Sequence, residues 1–272
     1  MPRPERGGRR NPRVTLGRVK AVSRPTPHLA RIVLDAPGLA GREIGGSADH
    51  YVKLLFPPPG VVYPEPFDLQ AIRAELPRDR WPRMRTYTIR TWDEAAHELT
   101  IDVVLHGDSG LAGPWASAAR PGDEIRFAGP GGGYAPDPSA DGHLLIGDES
   151  ALPAISVALE MLPETARATV FVEVAGPEDE QELTAPPGTS LTWIHRDTSP
   201  VGDALVKAVT AAGLPTGDVQ AFVHGEAAFV KELRALLVGA GLPRDRVSIS
   251  GYWRQGLDED DWQVAKRAEN PA

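Results

Sequence analysis

One boundary divides the chain into two stretches of different texture, and a chain so divided must build two different kinds of unit. Gly129-Pro130-Gly131-Gly132-Gly133 interrupts it, and Pro136-Asp137-Pro138 follows as a linker. Before the boundary, short β-branched and apolar runs occur at Val14–Val22, Leu29–Leu34, His50–Phe56, Arg85–Arg90, Leu99–Leu105 and Glu124–Phe127, separated by Gly- and Pro-rich turns. Some six short strands in roughly 115 residues predict a small antiparallel β-barrel. Pro57-Pro58-Pro59-Gly60 opens an insertion with one helix, Asp68 to Leu76, N-capped by Asp68 and stopped by Pro77.

After the boundary, strands and helices alternate. Strands are expected at His143–Ile146, Thr169–Val174, Leu191–His195, Val219–His224 and Val247–Ser250. Helices are expected at Ala151–Met161, Val201–Ala212 and Ala227–Val238. This order means a doubly wound parallel α/β sheet. The division expected is a disordered basic tail over residues 1–13, a barrel over 14–135, an α/β domain over 140–257 and a C-terminal extension over 258–272. No internal repeat is present.

The chain has 272 residues, enough for two ordinary domains, with 41% hydrophobic and 24% charged residues, as in a soluble globular protein. A formal charge of −8 argues against nucleic acid or an anionic membrane as partner, so any basic site must be a local pocket. With no cysteine, disulfides, iron–sulfur clusters, zinc thiolates and cysteine nucleophiles are excluded together. The seven histidines are scattered with no H-x-x-x-H pair, so no protein-held metal is expected. No apolar run approaches the roughly 20 residues of a membrane span. Arg9-Arg10 is not followed by the apolar stretch of an export signal, and a cytoplasmic location is expected.

Three motifs carry chemistry. Arg85-Thr86-Tyr87-Thr88-Ile89-Arg90 suits a flat, phosphate-bearing cofactor, with an aromatic to stack, a hydroxyl for a ring edge and a guanidinium for a diphosphate. By itself the pattern equally fits an edge strand with exposed arginines. His106-Gly107-Asp108-Ser109-Gly110-Leu111-Ala112-Gly113-Pro114-Trp115-Ala116 follows a strand. Its small residues let backbone N–H groups approach an anion, and Ala112 could open a short helix; a glycine-rich hairpin turn is the plain alternative. Gly147-Asp148-Glu149-Ser150-Ala151-Leu152-Pro153 joins the first α/β strand to its helix, where open sheets bind ligands, with Asp148 or Ser150 as cap. It lacks the G-x-G-x-x-G dinucleotide fingerprint.

These motifs, with Trp193-Ile194-His195-Arg196, His224-Gly225-Glu226-Ala227 and Gly251-Tyr252-Trp253-Arg254-Gln255-Gly256, resemble the siderophore-interacting proteins, flavin-dependent ferric-siderophore reductases of the ferredoxin-reductase superfamily. The resemblance runs from about Val14 to Trp262. It implies FAD on the barrel, and NADH or NADPH on the α/β half or reduced ferredoxin as donor. It implies a ferric siderophore as substrate and no protein-bound metal, and a monomer is expected.

By that resemblance Arg85 would hold the FAD diphosphate, Tyr87 would lie against the isoalloxazine, and Thr88 would bond near its N5 edge. Thr86, Val103, Gly110 and Gly113 would line the same cofactor, and His106 with the Ala112–Trp115 turn would take its diphosphate and adenosine end. Ser150, where many relatives have Thr, would face the flavin beside Ala151; Trp253 would lie near its ring, and Glu226 in the nicotinamide region. Lys53 and Arg254 would meet an anionic siderophore at the pocket mouth. Relatives often add a basic residue in a G-P-R-G-S-type turn; here Gly131 stands at that position, which favours a chelate of lower charge. Arg126 could substitute only by pointing inward, and Arg196 is a candidate for a 2′-phosphate. His195 reads as a packing residue, and Asp258–Asp261 and Glu178–Glu182 read as solvated charge, with Trp262 able to anchor the C-terminal segment. The competing readings are a general NAD(P)H:flavin or ferredoxin-type reductase and a non-catalytic siderophore carrier.

Overall fold

A computed structural model describes residues 13–42, 44–107 and 110–269. The basic tail falls outside these residues apart from Arg13, as do Asp108 and Ser109 of the glycine-rich turn. The first stretch forms β1 (Val14–Thr26), β2 (Leu29–Asp35), β3 (Tyr51–Phe56), β4 (Arg83–Asp93), β5 (Glu98–Val104) and β6 (Glu124–Gly131). They close into a barrel in the order β1-β2-β5-β4-β3-β6, with β6 returning antiparallel to β1. Period-two alternation explains the closure. Ile32 and Leu34, Val52 and Leu54, Leu99 and Ile101 turn into one core around Phe127, and closure leaves no open edge.

In the insertion, α1 (Leu69–Glu75) has the expected cap, with Asp68 accepting from the Gln70 and Ala71 amides at 2.8 and 3.2 Å. Helix α2 (Ala112–Ala118) follows β5 and packs Ala112 and Ala116 into the barrel core. Strand β6 runs farther than the expected Glu124–Phe127. Gly131 pairs with Tyr51, so part of the glycine run lies inside the sheet and the break comes after it. The close approach explains the residue type: a Cβ on Gly132, where φ is +128°, would lie 2.7 Å from the Asp49 carbonyl oxygen.

The second stretch forms β7 (Gly142–Asp148), α3 (Leu152–Met161), β8 (Arg167–Val174), β9 (Gly188–His195), α4 (Asp203–Ala212), β10 (Val219–Glu226), α5 (Ala227–Gly239) and β11 (Val247–Trp253). The sheet is parallel, in the order β11-β10-β7-β8-β9. Every residue of β7 is buried, because helices cover both faces. Helix α3 packs on one face with Val170 and Phe222, and α4 and α5 pack on the other with Leu144, Ile146 and Val223. Strand order reverses at β7, so the ends of β7 and β10, Asp148 and Glu226, meet at the switch point where such sheets take ligands.

Ion pairs help tie the halves together. The charged loop after β8 is not simply solvated: Asp179 is 4% exposed and accepts from the His28 backbone at 3.2 Å, with the His28 ring at 2.7 Å. Arg90 of β4 donates to both oxygens of Glu160 on α3 at 2.6 and 3.1 Å. A last helix, α6 (Glu259–Glu269), packs on β4 and buries Trp262. No helix among the described residues is long and apolar enough to cross a membrane.

Candidate functional site

Strand β4 presents a small anion cradle. The Arg85 side chain is 12% exposed, and its guanidinium lies 3.1 Å from Asp260 and 3.6 Å from Asp258. The Thr86 amide and hydroxyl both donate to Glu259, at 2.8 and 2.5 Å. The donor set thus already gathers anionic oxygens, the chemistry a flavin diphosphate requires, so these residues fit that group. The expectation of a solvated acidic run is corrected here, because Asp258, Glu259 and Asp260 lie against β4. Tyr87 is half-buried on the barrel core, and burial pushes its phenol up, so it stays neutral. Thr88 is nearly buried, directly across from Tyr51. Gly110, at φ +83°, allows the chain to turn into α2, whose first turn has no side-chain cap; Gly113 is the second residue of that helix.

Across from the barrel, Asp148 organises the switch point. It is fully buried and accepts from the Ser150 amide (2.9 Å) and hydroxyl (2.5 Å), the Glu226 amide (2.8 Å) and Trp253 Nε1 (2.8 Å). Burial, then the Glu149 charge, push its pKa up to about 6, against the bonds from Ser150, Trp253 and Glu226. Asp148 is therefore not the cap of α3, which begins at Leu152 with Ala151 at the N-cap and no side-chain cap bond. One buried carboxylate instead fixes three residues that the sequence assigned to the cofactor. Gly225 admits this packing: a Cβ there, at φ +140°, would lie 2.6 Å from the Asp148 carboxylate.

The two halves meet in a pair of rings. His106, beyond β5, faces Trp253 with centroids 6.3 Å apart and planes 32° apart. Burial holds the His106 imidazole below its ordinary pKa and therefore neutral. At the expected mouth, the Lys53 ammonium lies over the Tyr51 ring at 5.7 Å. The Arg254 guanidinium lies over the Trp262 ring at 5.8 Å. A side chain at Gly131 would meet the Tyr51 ring tip at 2.6 Å, so Tyr51 fills the space where a third basic residue would begin. Arg126 does not replace it, being paired with Glu65 and stacked on Phe67 at 5.0 Å.

Other assigned residues have their side chains engaged elsewhere. Val103, Ala112 and Ala151 are buried in the two cores and can offer a ligand only backbone. Trp115 packs on the barrel core with its ring 6.0 Å from that of Phe56. The Glu226 carboxylate caps α5 through the Ala228 amide and accepts from the Gln255 amide. Arg196 is held by Glu149 at 2.8 Å and Glu173 at 3.2 Å, so a 2′-phosphate would meet it already paired. His195 lies 2.7 Å from Glu180.

Sequence reasoning missed Asp148 as the organiser and Asp258–Asp260 as the occupants of the cradle. For Asp148 the available signal was a carboxylate closing an apolar strand at a switch point. For the acidic run, only the Trp262 anchor hinted at docking.

The siderophore-interacting FAD-binding domain matches residues 18–134, and the siderophore-interacting protein domain matches 140–256. The chain is 33% identical over 245 residues to the ferric vibriobactin reductase ViuB of Vibrio cholerae, covering 86% of each protein. It is 31% identical over 240 residues to the NADPH-dependent ferric-chelate reductase of Escherichia coli, covering 86% of this chain and 91% of that one. The crystal structure of a siderophore utilization protein from T. fusca superposes with a TM-score of 0.79 at 37% identity, covering 92% of this chain and 95% of that one. With a barrel and an α/β sheet meeting at these residues, the chain belongs to the siderophore-interacting protein family.

Proposed function

We propose that this chain is a cytoplasmic reductase of ferric siderophores that draws electrons from NADH or NADPH and releases ferrous iron. One observation supports the reading: the barrel and the parallel sheet meet at the facing rings of His106 and Trp253, and Trp253 is bonded to Asp148 at the switch point of that sheet. When bound, FAD supplies the conversion between a two-electron hydride donor and a one-electron acceptor. Arg85 and Thr86 would hold its diphosphate, Tyr87 and Thr88 would orient its ring system, and Trp253, bonded to Asp148, would meet it from the other half. Neutral Tyr87 would add no charge beside the ring, and neutral His106 none at the diphosphate and adenosine end.

Lys53 and Arg254 draw the anionic chelate to the mouth. Once reduced, iron binds hard oxygen ligands more weakly because it is softer and less charged, and it leaves. No proton need be held for the iron step, and no paired-carboxylate acid–base device is required. The cytosol is where reduced nicotinamide is available.

The test is anaerobic incubation of FAD-loaded protein with NADH or NADPH, catecholate, hydroxamate or mixed-ligand ferric siderophores, and a ferrous trap. Trapped Fe(II) that depends on enzyme and nicotinamide is expected. Binding without reduction would instead make the chain a carrier, and fast reduction of free flavin or ferredoxin without chelate reduction would make it a general reductase.

A further inference from the structure

The acidic residues at the start of α6 do more than close the fold. Glu259 takes both donors of Thr86, and Asp260 and Asp258 lie against the Arg85 guanidinium, with Asp258 also 3.8 Å from Arg83. The guanidinium is mostly buried, so it can serve few partners at once. The segment is not loosely held. Trp262 is 3% exposed, with Arg254 at 5.8 Å and Lys266 at 5.9 Å from its ring, and Lys266 donates to the Ser250 hydroxyl (2.6 Å) and the Gly251 carbonyl (2.9 Å). Three carboxylates therefore stand, on an anchored helix, at the donors a diphosphate would use. Two anions on one half-buried guanidinium repel, and the repulsion is stronger there than in water.

We propose that Asp258, Glu259 and Asp260 set the affinity of this chain for the flavin diphosphate, by holding its cradle on β4 and yielding it when the flavin binds. The proposal rests on the flavin reading above and deepens it, adding a built-in competitor that discriminates between flavins with and without phosphate. The segment runs from Arg254, the residue expected to meet the substrate, to Trp262, over whose ring that arginine lies at 5.8 Å.

The experiment compares apo-protein with a D258N/E259Q/D260N variant, titrated with FAD and with riboflavin by flavin fluorescence. Asp258 and Asp260 are exposed and Glu259 half-buried, and the amides keep shape while losing charge. FAD should bind the variant on the order of tenfold more tightly, with riboflavin affinity unchanged. In the unaltered protein, hydrogen exchange of residues 258–262 should rise when FAD binds. FAD affinity unchanged or lowered in the variant, riboflavin affinity raised equally, or exchange of 258–262 slowed by FAD would each overturn the competition while leaving the flavin reading intact. No FAD uptake by either protein would overturn both.

Discussion

Asp148 is buried away from water, and although every partner of its side chain is a donor and favours the ionised carboxylate, burial outweighs those bonds. Its folded pKa of about 6 lies above the ordinary 3.8, so its contribution to stability is full below pH 3.8 and lost as pH rises through about 6. Ionised at neutral pH, it costs about 3 kcal/mol relative to a solvated carboxylate. His224 works the other way: burial, then Lys266, hold its pKa at about 3, below the ordinary 6.5, so its contribution is present above 6.5 and lost as pH falls toward 3. Between pH 4 and 6 the two slopes oppose each other. Asp148→Asn should therefore make the unfolding free energy fall more steeply on acidification, by about 1.4 kcal/mol per pH unit. Urea unfolding at pH 4, 5 and 6 checks this, and parallel curves for the two proteins would refute it. The GDES motif was legible as a strand-to-helix turn, but its Asp read as a cap because sequence shows only local partners. Two of the three residues bonded to Asp148 come from far along the chain.

At the scale of elements, β6 and β3 fit together through a missing side chain. The bare Gly131 leaves room for the Tyr51 ring, over which the Lys53 ammonium sits. The ring tip is the free end of a side chain and can swing away, so Gly131→Arg should fold and add a cation at the mouth. Affinity for a trianionic ferric tris-catecholate should rise about tenfold relative to an uncharged ferric hydroxamate. Titration with both chelates reads the ratio, and an equal change for both would deny Gly131 this role. Strand and helix types were legible from β1 to β11, since alternation and helical spacing are local properties, whereas α6 was not expected as a helix. The length of β6 was not, because glycine marks breaks in most settings and only the nearby backbones of His50 and Tyr51 require it inside this sheet. For the same reason the acidic start of α6 looked solvated until β4 was found beneath it.

Over the whole molecule, the two arginines that bracket the β4 motif separate into two tasks. Arg85 faces the anion cradle, whereas Arg90 bonds Glu160 across the domain boundary, with side chains 17% and 34% exposed. Arg90→Ala should lower the unfolding free energy by about 1 kcal/mol, the modest value of a partly solvated pair, and leave FAD affinity within about twofold. Arg85→Ala should do the reverse. Thermal unfolding and FAD titration of the two variants separate the roles, and a loss of FAD binding in Arg90→Ala as large as in Arg85→Ala would merge them. The sequence by itself determined the division into barrel and parallel sheet, the element types up to β11, and the motifs that mark the family, because each follows from residue spacing within a few turns of chain. Tertiary structure alone decided which carboxylate meets which donor: Asp148 under Trp253, Glu160 on Arg90, Glu259 on Thr86. Such pairings join residues tens to well over a hundred positions apart, and their energies depend on burial, which no local pattern records.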